Sequence, residues 1–342
     1  MVTWASMARG KHLGSQTGAA ILTSASRSPG LRGGANEGAR KEAVTSVDEN
    51  EPLRVSAVHL DAVGGIAGDM FSAALLDVRP DLWPACEGAI ASVGLADGTR
   101  VSLAGYRDSM LSGSRFVVEA PSQVRPSDGL PPVRWSDIRK RIASALLDEG
   151  VRKTALAIFR ALAEAEAAVH GLDVDGVAFH EVGADDSIAD ILSAAAIISG
   201  LGRCRWSIGP IPRGRGYVAT EHGMLPVPAP ATLELLKGFV VIDDGEQGER
   251  VTPTGAAILR HLAPSQEADP VPRRLIGAGI GFGTRMLETR SNVLRASLFS
   301  AVDDGLQGDW VELLRFEVDD QTGEDLAVAL ERLRGTAGVI DV

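Results

Sequence analysis

The sequence predicts an α/β fold, with α+β as the alternative: one large mixed-sheet domain carrying a helical hairpin, then a small β-α-β unit. Three observations predict it. A short apolar strand at 55–61 runs through a glycine-rich turn into an amphipathic segment. Two long stretches of helical periodicity follow one another at 136–147 and 151–170. The remainder of the large domain is short strands punctuated by Gly and Pro.

In order along the chain, residues 1–54 read as a disordered extension or a start placed too early. They are rich in Ser, Ala and Gly and lack apolar periodicity. The main domain spans 55–300. After the strand at 55–61, Met70, Phe71, Ala74 and Leu75 fall on one helical face, with Asp69 as the expected N-cap. Segments 101–103 and 115–119 read as strands, and 121–132 as a Pro/Ser loop. Ser136 is the expected cap of a helix reaching Leu147, with Ile138, Ile142, Ala145 and Leu146 inward. The next helix turns Ala155, Ile158, Phe159, Leu162 and Val169 inward and ends at Gly171. A third starts at Asp185 or Asp186 and runs to Ile198. Helices also follow Pro230 and Pro253. An acidic linker at 301–309 leads to the unit at 310–342, a strand, an amphipathic helix and the beginning of a second strand. Such a unit is incomplete alone or pairs with another chain.

The charge balance excludes several function classes. Against 34 basic residues stand 45 acidic ones, a net charge of −11. An acidic chain gains nothing from counterion release, so nucleic-acid binding is not expected. The longest apolar run, 191–201, is too short to cross a bilayer. The two cysteines, Cys86 and Cys204, form no C-x-x-C, which excludes a zinc ribbon or an iron–sulfur cluster and fits a reducing cytoplasm. No G-x-S-x-G elbow or H-E-x-x-H pair is present.

The candidate chemistry is imidazole and carboxylate. His180, Glu181, Asp186 and Asp190 lie within one short segment, and the two aspartates share a helical face. Glu166 and His170 are spaced i, i+4 just before it. These groups suit nickel, zinc, iron or manganese; they equally serve as helix caps and core histidines. His59 and Asp61 share one face of the first strand at its carboxyl end, where α/β sites form. His222 stands beside a glycine on a loop. The turn at Gly64, Gly65 and Gly68 is neither a Rossmann nor a Walker loop, though its N–H groups could favour an anion. Gly277, Gly279, Gly281 and Gly283 alternate, so on a strand they make one bare face for either a flat ligand or another backbone.

Several of these segments together resemble the LarC family of nickel insertion proteins. The blocks are HLDAVGGIAGDMFSAALLD (59–77), AEAEAAVHG (163–171), FHEVGADDSIADI (179–191), EHGMLPVPAPATLELLKG (221–238) and ERVTPTGAAIL (249–259), followed by GAGIGFGTR (277–285) and SNVLR (291–295). They run through nearly all of 55–342.

The resemblance implies a nickel chelatase (cyclometallase, of the lyase class) that inserts nickel into a pyridinium bisthiocarboxylic acid mononucleotide, with CTP consumed alongside Mg or Mn. The product is the nickel-pincer cofactor of lactate racemase-type enzymes. On this reading His180, Asp186, Asp190, His222 and His59 hold the metal. Asp61, Asp69 or Glu181 accepts the ring proton lost when carbon binds nickel. Gly64, Gly65 and Gly68 cradle a phosphate, and Gly279, Gly281 and Gly283 face the pyridinium ring. The expected partners are the mononucleotide substrate, a second copy of the chain, and a separate C-terminal chain if this one is half of a split enzyme. A non-catalytic nickel or cofactor carrier is the alternative.

The chain departs from the family pattern at Ala178, where a histidine is usual, at Ser291, where a proline is usual, and at Glu317 and Val318. Longer members continue into a further domain associated with CTP. A short subfamily, a fragment or a split protein would each account for the difference.

Overall fold

The computed structural model describes residues 17–23, 54–119, 133–179, 185–220, 223–302, 311–319, 321–336 and 339–342. They fall into two compact units, residues 50–302 and a smaller one built from residues 1–49 with 303–342.

The larger unit is an α/β body around a mixed six-stranded sheet. Its strands are β2 (Ala57–Asp61), β3 (Arg100–Arg107), β4 (Ser112–Glu119), β7 (Arg205–Ile208), β12 (Arg273–Phe282) and β13 (Val293–Ala301), in the order β3-β4-β12-β13-β2-β7. β2 runs antiparallel to β13 and parallel to β7. β4 meets β12 at a single pair, Ser114 opposite Gly281. Asp77 reinforces this sparse joint, accepting from the Ser114 hydroxyl at 2.7 Å and from the Ile280 N–H at 2.9 Å. Three two-stranded ribbons complete the unit: β5 (Val133–Arg134) with β6 (Ala178–Phe179), β8 (Ile211–Pro212) with β11 (Val241–Ile242), and β9 (Tyr217–Thr220) with β10 (Gly223–Pro226).

The helices are α1 (Gly68–Val78), α2 (Trp83–Val93), α3 (Trp135–Ser144), α4 (Glu149–His170), α5 (Asp185–Leu201), α6 (Pro230–Leu235) and α7 (Pro253–Leu262). α1 lies directly on β12, and the alternating glycines are the reason. A Cβ on Gly281 would collide with the Met70 carbonyl, and one on Gly279 with that of Ala74. A Cβ on Gly277 would come within 2.7 Å of the Val78 side chain. Backbone therefore lies on backbone. The bare face is filled by a helix, which corrects the expectation of a flat ring over Gly279, Gly281 and Gly283.

Behind α1, α5 is buried on almost every side from Ser187 to Ile197, and its alanines let neighbouring helices approach closely. Phe71, Leu75, Ile158, Phe159, Leu162, Ile188 and Ile191 are fully buried in the shared core.

Several helix ends differ from expectation. α3 starts at Trp135 with Arg134 as its N-cap, so Ser136 lies inside the helix rather than capping it. α4 starts earlier, at Glu149, capped by Asp148, and α5 runs past Ile198 to Leu201. α1 begins at Gly68 with Ala67 as N-cap, which leaves Asp69 free for the first turn. α3 stops at Ser144, and Leu146 is 93% exposed. Arg152 of α4 explains this end: its guanidinium donates to the carbonyls of Ile142, Ala143, Ala145 and Leu147 at 2.7–3.1 Å, gathering the terminal acceptors. Val169, expected inward, is 40% exposed. The loop expected at 121–132 and most of the linker lie outside the described residues.

In the smaller unit, β1 (Thr17–Thr23) lies between β14 (Val311–Glu317) and β15 (Val339–Asp341), antiparallel to both, and α8 (Gly323–Arg334) connects the outer two. β1 thus supplies the strand between β14 and β15, and it lies within 1–54, the segment expected to be a disordered extension.

Candidate functional site

The chain leaves β2 at Asp61 and reaches α1 through the turn at 62–67. Buried Arg250 holds that turn from beneath. Its guanidinium donates to the carbonyls of Val63 and Gly64, and to both oxygens of Asp244 at 2.9 and 3.0 Å. Asp244 in turn accepts from Arg290 at 3.0 Å. The Ile66 N–H donates to the Arg250 carbonyl at 2.8 Å, and the Thr252 N–H to the Ile66 carbonyl at 3.1 Å. Thr252 caps α7 by accepting from the Gly255 N–H. The first turns of α1 and α7 are thereby tied together.

The turn glycines serve this packing. A Cβ on Gly64 would strike the Asn292–Val293 backbone, one on Gly65 the Arg250 carbonyl, and one on Gly68 would stand 2.6 Å from Asp190 Oδ2. The N–H groups of Val63, Gly64 and Ile66 are all committed to protein carbonyls. Of the N–H groups expected to cradle a phosphate there, that of Gly64 is thus already paired with the Val293 carbonyl.

Beside these first turns lies a cleft of about 380 Å³ lined by Asp69, Arg115, Asp186, Asp190, Thr254 and Phe282, among others. Asp69 comes from the first turn of α1, and Asp186 and Asp190 from successive turns of α5. Asp185 does not face it. Its carboxylate accepts from the Ala96 N–H at 2.9 Å and the Thr99 hydroxyl at 2.8 Å, anchoring the loop after α2 to the start of α5.

Asp190 is only 9% exposed. Burial first, then the charges of Asp69 and Asp186, push its carboxyl well above the usual range. Asp69 is pushed up to about 6, chiefly by burial and further by Asp186, against the opposing Met70 N–H. Two desolvated carboxyls facing one another resist joint ionisation, and the arrangement accepts a cation or a proton. Among the described residues no set of three or more His, Cys, Asp or Glu side chains is arranged to hold a metal ion by itself. His180, Glu181 and His222 lie outside the described residues.

His59 and Asp61 do share a face, but it is the other face of the sheet. Val58 and Leu60 point into the core, while His59 Nδ1 bonds the Ser207 hydroxyl at 2.9 Å and Nε2 approaches Asp61 at 3.4 Å. Arg295 donates to Asp61 at 3.0 Å. His59 and Arg295 keep the Asp61 carboxyl below its ordinary value, which makes it the weaker base of the two described candidates. His59 and Asp61 are therefore not brought together with Asp69, Asp186 and Asp190. Glu166 and His170 approach one another at 3.5 Å, one turn apart on α4.

The nickel insertion protein family model matches residues 58–342. The chain belongs to that family. Among its curated relatives, named as nickel insertion proteins, is that of Geobacter metallireducens, 42% identical over 83% of this chain and 70% of its own length. Those of Pelobacter propionicus and Myxococcus xanthus are 43% and 40% identical, over 83% and 81% of this chain and 70% and 68% of their own lengths. No solved structure matches. For a nickel insertion protein the metal is cargo rather than a resident cofactor. No helix among the described residues is long and apolar enough to cross a membrane.

Sequence reasoning missed Arg115, Thr254 and Phe282. No motif marks Arg115; it is a lone arginine within a strand. Thr252-Pro253 was visible as a helix start, but its place beside α1 was not.

Proposed function

We propose that this protein inserts nickel into a pyridinium bisthiocarboxylic acid mononucleotide, the reaction the LarC resemblance implies. The observation that carries the reading is the facing pair of desolvated carboxyls, Asp69 and Asp190, in one cleft at the start of α1 and α5. Nickel is delivered as substrate through these oxygens, and the thiocarboxylate sulfurs draw it away. As the ring carbon binds nickel, its C–H bond breaks and the proton passes to Asp69. A carboxyl near 6 is ionised at neutral pH yet basic enough to take that proton. A CTP requirement, with Mg or Mn, follows from the resemblance alone.

The test is a transfer assay with the full chain, Ni²⁺ and the thiocarboxylated precursor, with and without CTP and Mg²⁺, the product being weighed by mass spectrometry. Nickel-containing product that is lost in Asp69→Asn supports the reading. Bound nickel with no product under any condition overturns it in favour of a carrier.

A further inference from the structure

Among the described residues Arg115 is the one basic side chain of the cleft, and its charge reaches Asp69 without a salt bridge between them. It is half-buried and forms no ion pair within salt-bridge distance among the described residues, although Asp69, Asp186, Asp190 and Glu249 line the same space. Its Nη2 donates to the Gly283 carbonyl at 3.1 Å, and its Nε is buried with no acceptor. The guanidinium lies 3.3 Å over the ring of Tyr106, which packs edge-on against Phe282 at 4.9 Å. Phe282 is itself buried and lines the cleft. Stacking of this kind fixes the plane of the guanidinium before any ligand arrives. A half-buried guanidinium held rigidly, with most of its N–H donors unspent, still has hydrogen bonds to give to a ligand.

We propose that Arg115 anchors a planar carboxylate-class group, carboxylate or thiocarboxylate, of an aromatic ligand in this cleft, opposite Asp69 and Asp190. The flat fork of the guanidinium matches such a group in two-point fashion, and the aromatic side chains beside it favour a flat ring. One wall of the cleft then holds the ligand's anion while the other handles the cation and the proton. The assignment deepens the proposed nickel transfer and rests on it for the substrate class. The binding itself can be measured without that reaction.

Two probes separate the possible anions. Pyridine-3,5-dicarboxylate carries planar carboxylates, and nicotinamide mononucleotide carries a phosphate. Binding of each to the full chain is measured by calorimetry for wild type, Arg115→Gln, Arg115→Lys and Arg139→Gln, the last a surface control on α3. Thermal melts verify folding. The dicarboxylate is expected to bind wild type and Arg139→Gln alike, about 10–100-fold more weakly to Arg115→Gln, and to an intermediate degree to Arg115→Lys. Ni²⁺ affinity is expected not to fall in Arg115→Gln, because the lost charge is a cation beside Asp69. No binding of the dicarboxylate to wild type, equal binding to Arg115→Gln, or dependence on Arg115 for the mononucleotide alone overturns the proposal. If transfer fails in every assay while dicarboxylate binding still depends on Arg115, the nickel reaction falls and the anchor stands. If transfer succeeds and Arg115→Gln leaves KM unchanged, the anchor falls and the reaction stands.

Discussion

The carboxylate of Asp190 rests against Gly68, so close that a Cβ on that glycine would stand 2.6 Å from Oδ2. This contact brings the second turn of α5 onto the first residue of α1, and it places Asp190 beside Asp69 in a desolvated pocket. In Asp190→Asn the repulsion disappears. The metal-free protein is expected to gain stability at pH 7.5, because burial and the neighbouring carboxyls disfavour the charged Asp190, while Ni²⁺ binding weakens. Denaturant midpoints and equilibrium dialysis read both. A less stable variant with unchanged nickel affinity would show that the carboxylate serves packing alone.

Asp69 gives a pH dependence whose sign is fixed. Its carboxyl in the fold, about 6, lies above the value of 3.8 for an unperturbed aspartate. Between those values the folded state binds more protons than the unfolded one, so stability falls as pH rises from about 4 to 6 and then levels off. Relative to Asp69→Asn, the metal-free wild type is expected to lose about 3 kcal/mol across that window, at about 1.4 kcal/mol per unit. Urea titrations of both proteins at pH 4, 5, 6 and 7 measure it. A constant difference would place Asp69 in a solvated environment.

The glycine face makes a pair of opposite predictions. Gly281→Ala forces a methyl group into the Met70 carbonyl and the Ala74 N–H, neither of which is a flexible side chain. The expected loss is about 1–3 kcal/mol, as for other overpacked cores. Gly88 lies within α2 with open space where its Cβ would go. Gly88→Ala is expected to add about 1 kcal/mol through helix propensity. Thermal melts of the two variants should move in opposite directions.

Arg250 is 3% exposed and holds two turn carbonyls and Asp244. Arg250→Met leaves Asp244 and both carbonyls without that partner, an expected cost of about 3–5 kcal/mol. Transfer activity should fall with it, because the start of α1 loses its support. An equally stable Arg250→Met protein would mean that the backbone pairing of Ile66 with Val251 holds the turn alone.

Local periodicity made much of this legible. The inward face of α4 and the single face shared by His59 and Asp61 follow from spacings of four and two. What spacing cannot supply is the partner. The four glycines announce a bare face, but α1, which covers it, lies some two hundred residues upstream. His59 and Asp61 share a face, yet only the pairing of β2 with β13 and β7 shows that it is not the face carrying α1. Asp69 and Asp190 were each visible as polar residues at helix starts, and their approach depends on Gly68, a contact between distant elements. Arg115 left no trace because its significance, a stacked guanidinium with unspent N–H donors beside Asp69, exists only in three dimensions.

Direct packing of α1 on β12 has a dynamic consequence. With no layer of side chains between them, neither backbone can slide past the other without collision, so the amide protons of α1 and β12 should exchange with solvent as one cooperative unit, at the rate set by global opening. Asp69 rides on that unit. Any breathing that admits or releases a ligand must then come from the opposite wall, where the start of α5 is tied down through Asp185 to the loop after α2.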